Sequence, residues 1–225
     1  MTIPLYVAGS DVRQPIAARG GVPVTLERAD LAFGPLYLCA GATAGDLCDT
    51  ARVEWLGTVV VNALEPNPMG AGDLTGVTGT VRSWMYDLGI SSQLTRSEPF
   101  VLDAARELGD TSLLIAGRAE VGGVEMSFDA SVRVAQTDDT ELGVPVVRKS
   151  TTESFRHEVT GDEAGLTLRF DPAAWVQGVD FASFCGPDGE CPDHVTIGPD
   201  TEAFRSLRNA LVSGGRPSFE WRLAR

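Results

Sequence analysis

Met126-Ser-Phe-Asp-Ala-Ser-Val-Arg-Val134 alternates apolar and polar residues without a break. Met126, Phe128, Ala130, Val132 and Val134 hold one parity; Ser127, Asp129, Ser131 and Arg133 hold the other. Successive strand side chains point to opposite faces, so this stretch predicts a half-buried strand with one wet face. Gly122-Gly123 just ahead of it predicts a hairpin, because a primed two-residue turn needs positive φ. The same period recurs where Leu166, Leu168 and Phe170 alternate with Thr167 and Arg169. It recurs again where Phe219, Trp221 and Leu223 alternate with Glu220 and Arg222. Further strand-like runs cover 3–7, 24–38 (interrupted at Gly34-Pro35), 52–63, 74–88, 111–121 and 144–159.

One segment reads as a full helix. Pro199, Asp200, Thr201 and Glu202 open it, with acidic residues at the positive end of the dipole. Ala203, Phe204, Leu207, Ala210 and Leu211 share a face, and Gly214-Gly215 closes it. A single turn is expected from Asp171-Pro172, with Trp175 packing from it. A short helix near 102–108 is expected from Leu102, Ala105 and Leu108. Together these predict an all-β fold: an antiparallel β-sandwich with one C-terminal α-helix and short helical turns. The 225 residues suit one domain over 1–225, with a weak subdivision near 137–143 at the acidic stretch.

The four cysteines form two close pairs. Cys39 and Cys48 bracket one loop of turn-forming residues; Cys185 and Cys191 bracket another. Both spacings suit local disulfides, which places the protein outside the reducing cytoplasm, in the periplasm or at the cell surface. A chain of this length buries enough core to fold without them, so they serve as loop staples. Met1 to Val7 lacks the basic start and apolar stretch of a signal peptide. The cysteine pairing favours an export signal removed ahead of Met1, and a lipid on that segment would supply membrane anchoring; the alternative is a chain complete as it stands, cytosolic, with free thiols. No apolar run approaches the roughly 20 residues of a membrane-spanning helix.

The formal net charge is −13. So acidic a chain repels phosphate backbones, and a nucleic-acid partner is not expected. There is no Gly-x-Ser-x-Gly elbow. Any Ser-His or Cys-His chemistry must use His157 or His194, the two histidines of the chain. Carboxylates for glycoside hydrolysis are plentiful, but no spacing marks a pair. Gly70-Ala-Gly-Asp73 leads into a strand, so it lacks the helix N-terminus of a phosphate loop. Asp138-Asp-Thr-Glu141 and Asp188-Gly-Glu190 lack the ligand spacing of a calcium loop.

His157 falls on the parity of Phe155 and Val159, the position of a hydrogen-bonded core histidine. His194 stands three residues beyond Cys191. Brought together with a carboxylate or a softer ligand, the two would make a copper or zinc site. Trp55, Trp84, Trp175 and Trp221 are expected in the core; an exposed pair would instead make a platform for a protein or glycan. Trp84 sits in a dense aromatic and Met run, Val81 to Tyr86.

The order of these features resembles the MbnP-like proteins, exported copper-binding β-sandwich proteins. The resemblance spans Val24 to Leu223. It rests on Val24-Thr-Leu-Glu-Arg-Ala-Asp-Leu-Ala-Phe-Gly-Pro-Leu-Tyr-Leu38, on Gly79-Thr-Val-Arg-Ser-Trp-Met-Tyr-Asp-Leu-Gly-Ile90, and on the closing series His194, Asn209, Phe219. It implies export, copper binding, and a redox or haem-protein partner that oxidises a tryptophan, with Trp84 as the modified or binding aromatic. The chain departs from the family at two places. Gln93-Leu-Thr-Arg96 stands where the family carries Asn-His, and Ser112-Leu-Leu-Ile115 replaces its Trp-x-Trp region. The family's usual copper-site motifs are therefore largely missing. The sequence points first to an exported, non-enzymatic binding or interaction protein, a divergent MbnP-like metal binder using His157 and His194. A surface module binding protein or glycan through exposed aromatics is the second reading, and a hydrolase with a His or carboxylate site the third.

Overall fold

The computed structural model of the chain describes residues 1–41, 51–91, 100–134, 148–150 and 155–224. Cys48, the acidic stretch at 137–143, residues 93–96 and most of 144–154 lie outside the described residues. In chain order the strands are β1 (Thr2–Gly9), β2 (Ile16–Ala17), β3 (Pro23–Phe33), β4 (Leu36–Cys39), β5 (Ala51–Trp55), β6 (Val59–Asn62), β7 (Met69–Gly76), β8 (Gly79–Val81) and β9 (Ser83–Tyr86). They continue as β10 (Ile90–Ser91), β11 (Phe100–Val101), β12 (Leu113–Val121), β13 (Val124–Val132), β14 (Arg148–Ser150), β15 (His157–Val159), β16 (Glu163–Phe170), β17 (His194–Ile197) and β18 (Ser218–Leu223). Three short helices interrupt them: α1 (Asp103–Glu107), α2 (Ala173–Val176) and α3 (Glu202–Asn209).

The fold is all-β and sandwich-like. An eight-stranded sheet runs β14-β9-β4-β5-β7-β1-β16-β18, and a second runs β17-β13-β12-β3-β2, with β6 also on β3. Two short pairs, β10-β11 and β15-β8, flank them. Most pairings are antiparallel, as expected. Two are not: β1 pairs β16 in parallel, and β13 pairs β17 in parallel. Both late strands return after connections too long for a hairpin to dictate their direction.

The opening stretch behaves as its alternation predicts. Met126, Phe128, Ala130 and Val132 are buried, and Ser131 on the opposite parity is exposed. Gly122 and Gly123 turn the β12-β13 hairpin with φ of 60° and 86°. In β16 the alternation fails at Thr167, which is buried between its partners Tyr6 and Glu220 on the two flanking strands. In β18 it weakens the other way. This is an edge strand, so Phe219 and Trp221 are only half-buried and Leu223 stays exposed.

Helix α3 starts as predicted: the Thr201 hydroxyl accepts the Phe204 N–H at 3.1 Å. Ala203, Leu207 and Leu211 enter the core. Asp171 accepts the Ala173 N–H at 3.0 Å at the start of α2, which buries Trp175 completely. A helix also stands at 103–107, shorter than the expected span.

The two sheets meet at Phe33, the last residue of β3. Its ring contacts Phe170 of β16 at 5.1 Å, Tyr86 of β9 at 5.4 Å and Trp55 of β5 at 6.0 Å between centroids. The chain then crosses to the other sheet through Gly34-Pro35. Gly34 has φ of 104°, a region that side-chain-bearing residues rarely adopt, and a Cβ there would stand 2.3 Å from the Gly57 carbonyl oxygen. Trp55 lies among glycines: a Cβ at Gly57 or Gly72 would approach its ring to 2.7 or 2.8 Å.

Cys185 and Cys191 form a disulfide, as expected, closing the loop between a 3-10 turn (Phe181–Phe184) and β17. Cys39 ends β4 and is buried. Among the described residues no helix is long and apolar enough to cross a membrane.

Because Phe33 joins both sheets, truncation there opens a cavity among the Phe170, Tyr86 and Trp55 rings. Phe33→Ala is expected to lose about 3–5 kcal/mol of stability, read from the urea midpoint. A loss below about 1 kcal/mol would show that the sheets close without this contact.

Candidate functional site

His194 opens β17, an edge strand, in parallel register with Ser127 of β13. Its imidazole is held at both nitrogens. Nδ1 lies 3.0 Å from the Ser127 hydroxyl, and Nε2 lies 2.7 Å from Asp129 Oδ1. Thr196 donates its hydroxyl to the same Asp129 oxygen at 3.0 Å. The Ser127 hydroxyl also lies 2.9 Å from the Asp193 carbonyl, which it can reach as donor. The cluster is open to solvent, with side-chain exposures of 55% for His194 and 45% for Asp129.

The local sequence explains the placement. Burying Met126, Phe128 and Ala130 forces Ser127 and Asp129 onto the outer face, two residues apart and in line. The parallel register then sets His194 and Thr196 beside them. Arg118 of β12 stands directly opposite Ser127 on the other side of β13. Its guanidinium reaches Glu27 at 2.7 Å and Glu125 at 3.4 Å, and Glu125 followed by Glu27 holds its pKa above the ordinary arginine value.

His157 occupies a different setting. It lies in β15, against β8, half-buried. Its ring stacks on Trp221 with centroids 4.0 Å apart and planes within 8°. Nε2 is 3.2 Å from Glu163 Oε1. The buried Glu163 carboxylate also accepts the Thr160 N–H and the Gly161 N–H, each at 2.9 Å. Burial pushes the Glu163 carboxyl up, but these backbone hydrogen bonds and His157 outweigh it and leave the pKa below the ordinary value.

The two histidines thus lie in separate sheets, each with its own carboxylate. Among the described residues no group of three or more His, Cys, Asp or Glu side chains is placed to hold a metal ion. The donors at His194 fit an open two-ligand chelate of imidazole and carboxylate rather than a closed cage. Trp84 is buried, stacked between Tyr86 at 5.1 Å and Phe219 at 5.3 Å. Trp55 and Trp175 are buried as well, as core packing predicts, and Trp221 lies under His157.

Sequence reasoning missed Ser127, Asp129 and Thr196 as neighbours of His194, and Glu163 as the partner of His157. The alternation had already put Ser127 and Asp129 on the wet face; only the pairing of β13 with β17, over 60 residues apart, was hidden. Comparison of the chain with protein-family models, with curated proteins and with solved structures finds no match.

Glu163 ties the 160–163 turn to His157, and its removal strands two backbone donors. Glu163→Ala is expected to cost about 2 kcal/mol near neutral pH. Because the folded pKa lies below 4.5, the contribution is complete above that value and is lost as pH falls through the folded one. Urea unfolding of both proteins from pH 7 to pH 3 checks this: the difference must shrink only in the acid range.

Proposed function

We propose that this chain is an exported binding protein, a divergent MbnP-like metal binder that takes copper through His194 and Asp129. The observation that carries the reading is the 2.7 Å approach of His194 Nε2 to Asp129 Oδ1 on a solvent-open face. Imidazole with carboxylate suits Cu(II) or Zn(II), and their softness fits neither calcium nor magnesium as well. With bonds of about 2.0–2.1 Å, tetrahedral ligands on one ion lie roughly 3.3 Å apart, so the pair would open slightly to admit one. His194 and Asp129 would hold such an ion in place of their present mutual contact, with its other positions left to water or to a partner protein.

Support for export comes from the Cys185–Cys191 disulfide, which a reducing cytoplasm would not maintain. The same disulfide pins the loop immediately ahead of His194 and so limits the freedom of one ligand. His157 is assigned a structural part, because its Nε2 faces the buried Glu163 and its ring is covered by Trp221.

Equilibrium dialysis of the full chain against Cu(II) tests this. Wild type and His157→Ala are expected to retain copper alike, whereas His194→Ala and Asp129→Ala weaken binding by about tenfold or more. A wild type that retains no metal, or loss in His157→Ala alone, overturns the assignment.

A further inference from the structure

The contacts around His194 have the connectivity of a nucleophile, a base and an orienting carboxylate, independent of any metal. Ser127 Oγ, His194 Nδ1, His194 Nε2 and Asp129 Oδ1 follow one another at 3.0 and 2.7 Å across the ring. Such a constellation is recognised by geometry and roles, not by chain order or by a surrounding motif. The two imidazole nitrogens are equivalent as bases, so approach of the serine to Nδ1 with the carboxylate on Nε2 serves the same chemistry. Thr196 fixes the carboxylate by donating to Asp129 Oδ1 at 3.0 Å. The carboxylate in turn selects the tautomer with the proton on Nε2, which leaves Nδ1 free to accept from Ser127.

We propose that Ser127 is an acyl-accepting nucleophile, with His194 as its general base and Asp129 as the positioning residue, acting on short-chain carboxylic esters with good leaving groups. Ser127 Oγ attacks the ester carbonyl carbon, and its proton passes to His194 Nδ1. The bond from that carbon to the alkoxy oxygen breaks, and the leaving alcohol takes the proton from Nδ1. Water then attacks the acyl-serine, gives a proton through Nδ1 to Ser127 Oγ, and releases the carboxylic acid. Asp129 stabilises the imidazolium formed in each half of the cycle.

The surroundings define the substrate class. The cluster stands on a sheet face with its imidazole and carboxylate about half exposed. So exposed a site gives a long acyl chain little burial to reward it, and small esters are favoured. The Asp193 carbonyl competes for the single Ser127 hydroxyl proton, at 2.9 Å, and keeps the reaction slow.

The inference does not rest on metal binding, and EDTA-treated full chain separates the two. With p-nitrophenyl acetate, Ser127→Ala and His194→Ala are expected to lower kcat/KM by about tenfold or more. Imidazole in the buffer should restore His194→Ala but not Ser127→Ala. Asp129→Asn should lower kcat and leave KM unchanged, a split that a purely structural part would not give. A fluorophosphonate probe should label Ser127, located by peptide mass spectrometry. Far-UV circular dichroism confirms folding, and His194→Gln replaces any His194→Ala that fails it. Wild-type turnover by Ser127→Ala, or a probe adduct anywhere but Ser127, overturns the proposal.

Discussion

The packing of Phe33 against Phe170, Tyr86 and Trp55 is the contact through which the two sheets become one core. Everything near it is arranged to let β3 end there. Gly34 supplies the backbone turn, and Pro35 starts the crossing into β4 on the other sheet. On the opposite side of β3, Ala32 is covered by a separate small cluster with Ile90, Ala104, Ala105 and Leu108. The end of one strand therefore carries two apolar surfaces at once, each covered by its own cluster of buried side chains.

The same core dictates where chemistry can occur. Phe128 of β13 packs on Phe181 at 4.7 Å, anchoring the strand that bears Ser127 and Asp129. With a period of two, fixing Phe128 inward also fixes its neighbours outward, and a slip by one residue would bury both polar groups. The core beneath thus decides which face the polar ladder occupies, although its own members are open to solvent. His194 gains its place from the parallel pairing of β17, and the disulfide just before that strand shortens the path by which it could wander.

How far this was readable from the residues follows the range of the interactions. The β13 strand, its glycine hairpin, the capped α3 helix and the Cys185–Cys191 pair depend on neighbours within a few positions, and each was legible. Thr167 was not, because its burial depends on strands contributed from both ends of the chain. The parallel partners of β1 and β13 were hidden for the same reason. His157 was placed correctly on an inward parity, but its partner Glu163 opens β16 and spends its carboxylate on the N–H groups of the preceding turn, a use that no spacing rule marks. His194 drew attention by its distance from Cys191, whereas what gives it chemical interest is a carboxylate two residues along a different strand.

The glycine bed around Trp55 has an evolutionary consequence. Gly34, Gly57 and Gly72 come from three separate parts of the chain, and each would drive a Cβ into the same indole. None can acquire a side chain while that indole stays where it is. A smaller residue at the tryptophan would release Gly57 alone, because Gly34 keeps φ of 104° with the Gly57 carbonyl oxygen at 2.3 Å and Gly72 keeps φ of 143°. Relatives of this chain should therefore vary at positions 55 and 57 together, while 34 and 72 stay glycine.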